Sequence, residues 1–481
     1  MSRMKFPATS VVLAAACGLW AACGGTGLAG DGEVDVDGGG DEAGPDDGGP
    51  DDASDVREDA WPWETVELPA TCGDGEVDPG EECDDGNRLN DDECDWHCRL
   101  GPGTFEYPPP DPAVPPLEPA GPPVEVVGDT EGIEDAAYRV QLAWSGGVYG
   151  LAYVGAWPVP AVRFRILHPD GAFGGGPWEN LEAYGAPNLR LLGTDEGFAL
   201  FTQRGEDGGV FLTRLGRDAV PLAARRQVLS KPEEVEWWRL VDAGWTAGRF
   251  AVLCGYPDLF ESLHLFSRTG EASGEPLWFE PFYYWLLVLP DGVALSTGTH
   301  VAILDLEPRV VGWSGYLAGR SVPFAAGGED MRNIVATEDG FLIFWLAFPA
   351  PYAEQPADLW VAGFDRAGEL TLPARIVLPE LTAVGGGYTA VYGPAGVGFV
   401  YQYAAERTAY DREVRILNTD RWGNPRSIPA TVVTADDGTY RDSGLEIAAD
   451  DSGYGVVVGV RRHPSSDSWR FLFRRYVASA P

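Results

Sequence analysis

The chain's reactive side chains are few: five histidines and seven cysteines, set among 74 carboxylates. His97, His168, His264, His300 and His463 stand apart, and none has a second histidine at metal-ligand spacing. His264 and His300 fall in or beside apolar runs and read as structural. G-x-S-x-G is absent, since Gly312-Trp313-Ser314-Gly315 breaks it at the last position. A phosphate loop would need a lysine after glycine, and the only lysines are Lys5 and Lys231. Asp242, Glu329, Asp330, Asp436 and Asp437 lie near predicted loops. Two of them side by side would suit glycoside chemistry, whereas solvated surface acid is the ordinary role. Cys254, inside Phe250-Ala-Val-Leu-Cys254, reads as a buried strand thiol. The 17 tryptophans include Trp237, Trp238, Trp285, Trp313, Trp345, Trp360 and Trp422. Exposed, they would stack on sugars or anchor a protein interface; packed between sheets, they are core. No catalytic residue is assigned.

Four cysteines fall close together: Cys72, Cys83, Cys94 and Cys98. Zinc would call for C-x₂-C pairs, which these spacings do not provide, so two disulfides are expected. Three pairings are open, and Cys72–Cys94 with Cys83–Cys98 would tie both ends together. Asp84, Asp85, Asn87, Asp91 and Asp92 offer oxygen ligands of the kind Ca²⁺ takes; the same residues are also turn chemistry. The string Cys72-Gly-Asp-Gly … Gly-Glu-Glu-Cys83-Asp-Asp-Gly-Asn, continuing to Cys94 and Cys98, resembles the myxobacterial cysteine-rich disulfide repeat. It departs from that repeat at Asp92-Glu93-Cys94, where a glycine is usual. The resemblance implies an extracellular spacer or interaction module without catalysis.

Met1–Lys5 is basic and Phe6–Ala22 is apolar and small, which together read as a signal peptide over 1–22. Leu19-Trp20-Ala21-Ala22-Cys23 resembles the lipobox of bacterial lipoproteins, with Trp20 where leucine is usual. Leu13-Ala14-Ala15-Ala16-Cys17 is a competing site. The resemblance implies a lipidated Cys23 (alternative Cys17) and several acyl chains, enough for stable anchoring. Simple cleavage and secretion is the alternative. The expected location is the outer membrane, lipid-anchored and surface-exposed.

The formal charge of −40 is unevenly placed. Residues 1–23 carry +2, residues 24–123 carry −26, and residues 124–481 carry −16. Residues 23–60 are almost wholly Gly, Asp, Glu, Pro, Ala and Ser, too polar to offset the entropy of ordering, and read as an extended tether. The disulfide module spans 61–100. Proline pairs and a triplet mark 101–123 as a stiff polyproline II linker. No part of the chain shows the basic stripe that nucleic acid requires.

From 124 to 481 a turn recurs between strand-like runs. Its last glycines are Gly147, Gly197, Gly248, Gly292, Gly340, Gly396 and Gly453, spaced by 50, 51, 44, 48, 56 and 57 residues. A second turn follows most of them, as at His168–Gly171, Arg268–Gly270 and Asp420–Gly423. Each unit therefore reads as four antiparallel strands, and the series as an all-β, seven-bladed β-propeller. The seventh unit lacks a fourth strand, and Val124–Val127 is expected to supply it by pairing with Phe471–Tyr476. The repeat resembles the propeller domains of bacterial surface lipoproteins. A binding role toward a surface protein or polysaccharide is expected, with the membrane contacted through the lipid alone. A carbohydrate hydrolase or lyase and a structural envelope spacer are the alternatives. No cofactor is assigned beyond the Ca²⁺ option.

Overall fold

The computed structural model describes Val77 and residues 114–479, except 128–139, 156–160, 181–187, 204–207, 233–237, 257–259, 280–284, 290–291, 297–300, 306–309, 314–332, 348–356, 367–369, 382–387, 405–411, 427–428, 435–443 and 462–468. Cys17, Cys23, Cys72, Cys83, Cys94 and Cys98 lie outside the described residues, as do Asp84, Asp85, Asn87, Asp91 and Asp92.

The described chain forms seven antiparallel sheets, six of four strands and one of five. Short runs rich in Val, Leu, Ile and Phe, punctuated by Gly and Asp, can fold only as strands joined by tight turns. The first strand of each blade is innermost. In chain order these are Val140–Ser145, Leu189–Gly193, Arg239–Thr246, Trp285–Leu289, Asn333–Ala336, Tyr388–Gly393 and Leu445–Ala449. Each neighbours the next, and Leu445–Ala449 returns beside Val140–Ser145, closing a ring around a central channel. In such a meander the first-to-second and third-to-fourth turns share one end of the ring, called here the turn face.

The core is divided in the same way as the ring. Among the described residues there are seven apolar clusters, each built from two adjacent blades. One position organises them. The second residue of the second strand is Tyr149, Phe198, Phe250, Val293, Phe341, Val397 or Tyr454, and all seven are buried. Each packs with the third residue of the preceding blade's second strand, and in every pair but Ala251–Val293 the sizes are complementary. A methyl placed on Gly150 would lie 2.7 Å from the Phe198 ring, one on Gly398 2.8 Å from Tyr454, and one on Gly455 2.6 Å from Tyr149. Ala199 shares a cluster with Phe250, and Ala294 with Phe341. Where the incoming residue is only valine, its partner is larger in one case: Leu342 packs with Val397. Large residue against small recess is how interiors reach crystal-like density.

Closure follows the expected pairing. Val124–Val127 lies antiparallel to Trp469–Ala478, with Val124 opposite Phe473 and Val127 opposite Phe471. The start of the propeller requires one correction. Leu117–Pro119, inside the segment assigned to the linker, also pairs with that strand, Leu117 opposite Ala478 and Pro119 opposite Tyr476. Proline is tolerated because this is an edge, where its missing N–H leaves no ladder bond unmade.

A buried carboxylate fastens blade 7 to blade 1. Asp450 accepts hydrogen bonds from the Tyr149 hydroxyl at 2.5 Å, Arg475 Nε at 2.7 Å and the Ser452 amide at 2.7 Å. Burial alone would raise its pKa, but the bonds from Arg475, Tyr149 and Ser452 outweigh burial and hold the carboxyl below its ordinary range. The same burial, with Asp450 beside it, drives the Tyr149 hydroxyl well upward, so it stays a donor.

Candidate functional site

The inner strands bring residues from all round the ring to one channel. Gln141, Arg190 and Glu446 each occupy the second position of their inner strand, in blades 1, 2 and 7. Gln141 Nε2 donates to Glu446 Oε1 at 2.8 Å. Arg190 Nε pairs with Asp242 Oδ1 of blade 3 at 2.9 Å, and its guanidinium also bonds the Leu189 and Val241 carbonyls. Asp242 further accepts from the Ala243 amide at 2.9 Å and the Leu286 amide at 3.3 Å. Burial raises the Glu446 carboxyl to about 8, with Arg190 opposing and Asp242 adding to the rise. Glu446 is therefore mostly protonated at neutral pH. Asp242 is not the surface acid that the sequence suggested: it lies among the inner strands, held by Arg190.

At the turn-face mouth of the channel is an open cavity of about 370 Å³. Trp245 and Val288 from blades 3 and 4, Ala336 and Glu338 from blade 5, and Tyr392 from blade 6 line it. Trp245, Val288 and Tyr392 are each the penultimate residue of an inner strand, which sets them at one height. Trp245 is braced by Phe250, ring centroids 4.5 Å apart, and Thr246 Oγ1 donates to Leu289 O at 2.5 Å, stitching blade 3 to blade 4. Beside Trp245, Arg268 forks onto Asp195 and Glu196 of blade 2, both at 2.9 Å. These ions are about half exposed, so they orient the rim more than they stabilise it.

Two aromatic faces, aliphatic walls and an exposed carboxylate can hold a flat or ring-shaped ligand that offers an apolar face and one hydrogen-bond donor. Nothing in this set is an activated nucleophile. Among the described residues, no group of three or more His, Cys, Asp or Glu could hold a metal ion.

The other residues of interest are placed as follows. His264 sits in the strand Phe260–Ser267, its Nε2 at 2.9 Å from Ser262 Oγ, and burial lowers it to about 4, consistent with a structural histidine. Cys254 is fully buried in the cluster between blades 2 and 3, and burial raises its thiol well above the ordinary range. Trp238 and Trp345 are buried, and Trp345 stacks on Trp360 at 6.1 Å. His168 is exposed in an outer turn of blade 1. Glu329, Asp330, Asp436, Asp437, His300, His463 and Trp237 lie outside the described residues. Sequence reasoning passed over Trp245, Tyr392 and Glu446. For Trp245 and Tyr392 the available signal was their place three and four residues before the turn glycines Gly248 and Gly396; Glu446 gave none.

No protein-family model and no curated protein matches the chain. Solved structures do resemble it in shape. The WD40 domain of Pan2 from Neurospora crassa is 12% identical, with a TM-score of 0.44, over 76% of this chain and 97% of that one. The β-propeller domain of the Trilobed protease from Pyrococcus furiosus is 11% identical, with a TM-score of 0.40, over 71% of this chain and 100% of that one. AofleA from Arthrobotrys oligospora is 12% identical, with a TM-score of 0.39, over 62% of this chain and 87% of that one. The number and order of blades rest on the pairing of the chain's own strands.

Proposed function

We propose that this chain is a surface-displayed binding protein, lipid-anchored to the outer membrane through Cys23, or through Cys17, and lifted off it by the acidic tether and the disulfide module. Its ligand, a polysaccharide or a protein side chain, is taken at the turn-face mouth of the propeller. One observation carries this reading: the open cavity of about 370 Å³ lined by Trp245 and Tyr392, with Glu338 at its rim. Aromatic faces in a concave site supply contact area at low entropic cost, and a single acid adds orientation. The mature chain is screened against glycan and protein arrays. Trp245→Ala is expected to weaken the selected ligand by about tenfold or more, equal to ~1.4 kcal/mol. Undiminished binding would remove the mouth as the site. Radiolabelled palmitate incorporation lost in Cys23→Ala supports the anchor, and persistence moves it to Cys17.

A carbohydrate-active propeller is the second reading. In its favour, two carboxyl groups share the channel: burial pushes Glu446 up to about 8, and Asp242 is paired with Arg190 at 2.9 Å. A carboxyl with a raised pKa near a second carboxyl is the arrangement glycoside cleavage uses. Release of reducing ends that disappears in Glu446→Gln would establish it.

A further inference from the structure

The turn face sorts its charges into pairs, and one acid is left over. Among the described acids between first and second strands, Asp195 and Glu196 hold Arg268, and Glu196 also pairs with Arg214. Asp339 holds Arg421 at 3.0 Å, and Asp450 holds Arg475 at 2.7 Å. Asp451 accepts from Trp144 Nε1 at 3.2 Å. Glu338 is the exception. It is exposed at the mouth cavity, and among the described residues nothing pairs with its carboxylate. Arg366 Nη2 donates to the Glu338 main-chain carbonyl at 2.8 Å and leaves the carboxylate unclaimed. No described residue lining the cavity is basic.

Elsewhere the protein shows what an acid and an aromatic ring hold together. The Arg421 guanidinium lies 4.5 Å over the Trp422 ring while it pairs with Asp339, the residue after Glu338. Arg415 lies 3.5 Å over the Tyr403 ring while it pairs with Glu413 at 2.9 Å. A guanidinium is flat and weakly hydrated and carries its donors in its own plane. One face stacks on a ring while an edge meets a carboxylate. The mouth presents the same two partners in Trp245 and Glu338, with Tyr392 opposite. Trp245 is already fixed by Phe250, so little ordering remains to be done on binding. Val288 and Ala336 offer apolar surface to a methylene stem. The charge of −16 on residues 124–481 draws cations toward the ring. An ammonium fits less well, because it is strongly hydrated and these walls replace little of its water.

We propose that the mouth cavity takes an arginine side chain of a partner protein, its guanidinium stacked on Trp245 and paired with the Glu338 carboxylate. This rests on the mouth being the binding site proposed above, and it narrows the ligand there to one cationic group.

Calorimetric titration of the full mature chain with blocked glycine–X–glycine peptides tests it, X being arginine, citrulline or lysine. Citrulline keeps the plane and loses the charge; lysine keeps the charge and loses the plane. The arginine peptide is expected to bind at least about tenfold more tightly than either, the scale of one charge-assisted hydrogen bond. Glu338→Gln should abolish the preference over citrulline, and because Glu338 is exposed the melting temperature should not move. Trp245→Ala should weaken the arginine peptide by a similar factor, and Trp245→Phe, which keeps an aromatic face, should restore part of the loss. Equal affinity for arginine and citrulline, no measurable binding of the arginine peptide, or arginine binding unchanged in Glu338→Gln overturns the proposal. An array ligand that is lost in Trp245→Ala but is not displaced by the arginine peptide keeps the mouth as the binding site and removes arginine as its ligand. If array ligands and arginine peptide alike survive Trp245→Ala, both readings fall.

Discussion

Gly455 shows how tightly single residues are specified. Its missing side chain is where the Tyr149 ring sits, and the Tyr149 hydroxyl in turn reaches Asp450. Gly455→Ala must therefore shift a ring whose far end is fixed. A loss of about 1–3 kcal/mol is expected, measurable as a lowered midpoint in urea. The same change in an exposed turn, such as at Gly147, where a methyl would meet nothing within 4 Å, would cost only the strain of its positive φ of 104°. Glu446 makes a prediction in pH. Its carboxyl titrates near 8 in the folded ring against 4.5 ordinarily. Between those values the folded state holds a proton that the unfolded state has released, so this group's contribution to stability falls as pH rises through that window. Glu446→Gln should flatten the dependence, keeping a partner for Gln141 without a charge. Thermal melts from pH 5 to 9 read this directly, and identical slopes in both proteins would show that Glu446 does not titrate there.

The edge strands of blade 7 come from the chain's far N-terminal side, and their effect is testable by deletion. Leu117, Val126 and Val127 are all buried against blades 6, 7 and 1. At about 1.5–3 kcal/mol for each such side chain, removing 114–127 should cost several kcal/mol. It should also leave Trp469–Ala478 as an open edge that pairs with other chains. Unchanged melting and a monomeric elution profile would contradict this. Elements of this kind were only partly legible. The turn glycines and the missing fourth strand could be read because strand periodicity and turn chemistry are local. Leu117–Pro119 could not, because the surrounding prolines signal a linker, and only an edge position lets them join a sheet. The mouth was illegible for a different reason: Trp245, Val288, Glu338 and Tyr392 are far apart in sequence and meet only because the ring closes. Asp242 was misread in the same way, since an acid in a strand gives no local sign that Arg190 of the neighbouring blade will pair with it.

For the molecule as a whole, the charge is unevenly divided, −16 on residues 124–481 and −26 on residues 24–123. In the tether proposed above, like charges would extend the acidic stretch, and salt would screen them over about 8 Å at physiological ionic strength. Small-angle scattering of the whole chain should show a shorter maximum dimension at molar salt than at 10 mM, about 3 Å and 30 Å of screening respectively. A fragment starting at 114 should show no change. Equal dimensions for the whole chain in both salts would mean that the acidic stretch does not respond as a polyelectrolyte.

The pairing of Val124–Val127 with Trp469–Ala478 also decides how the protein responds to force. The first segment runs from the turn face toward the opposite face, and the chain N-terminal to it leaves at the turn face. Traction on that end along the channel axis slides one strand past the other, so every bond of the short ladder is strained together. A pull across the face would instead break the bonds one at a time, starting at Val114, whose carbonyl accepts from Arg426 Nε. A chain held by its N-terminus in moving fluid is thus toughest when drawn straight out from its surface and weakest when dragged sideways.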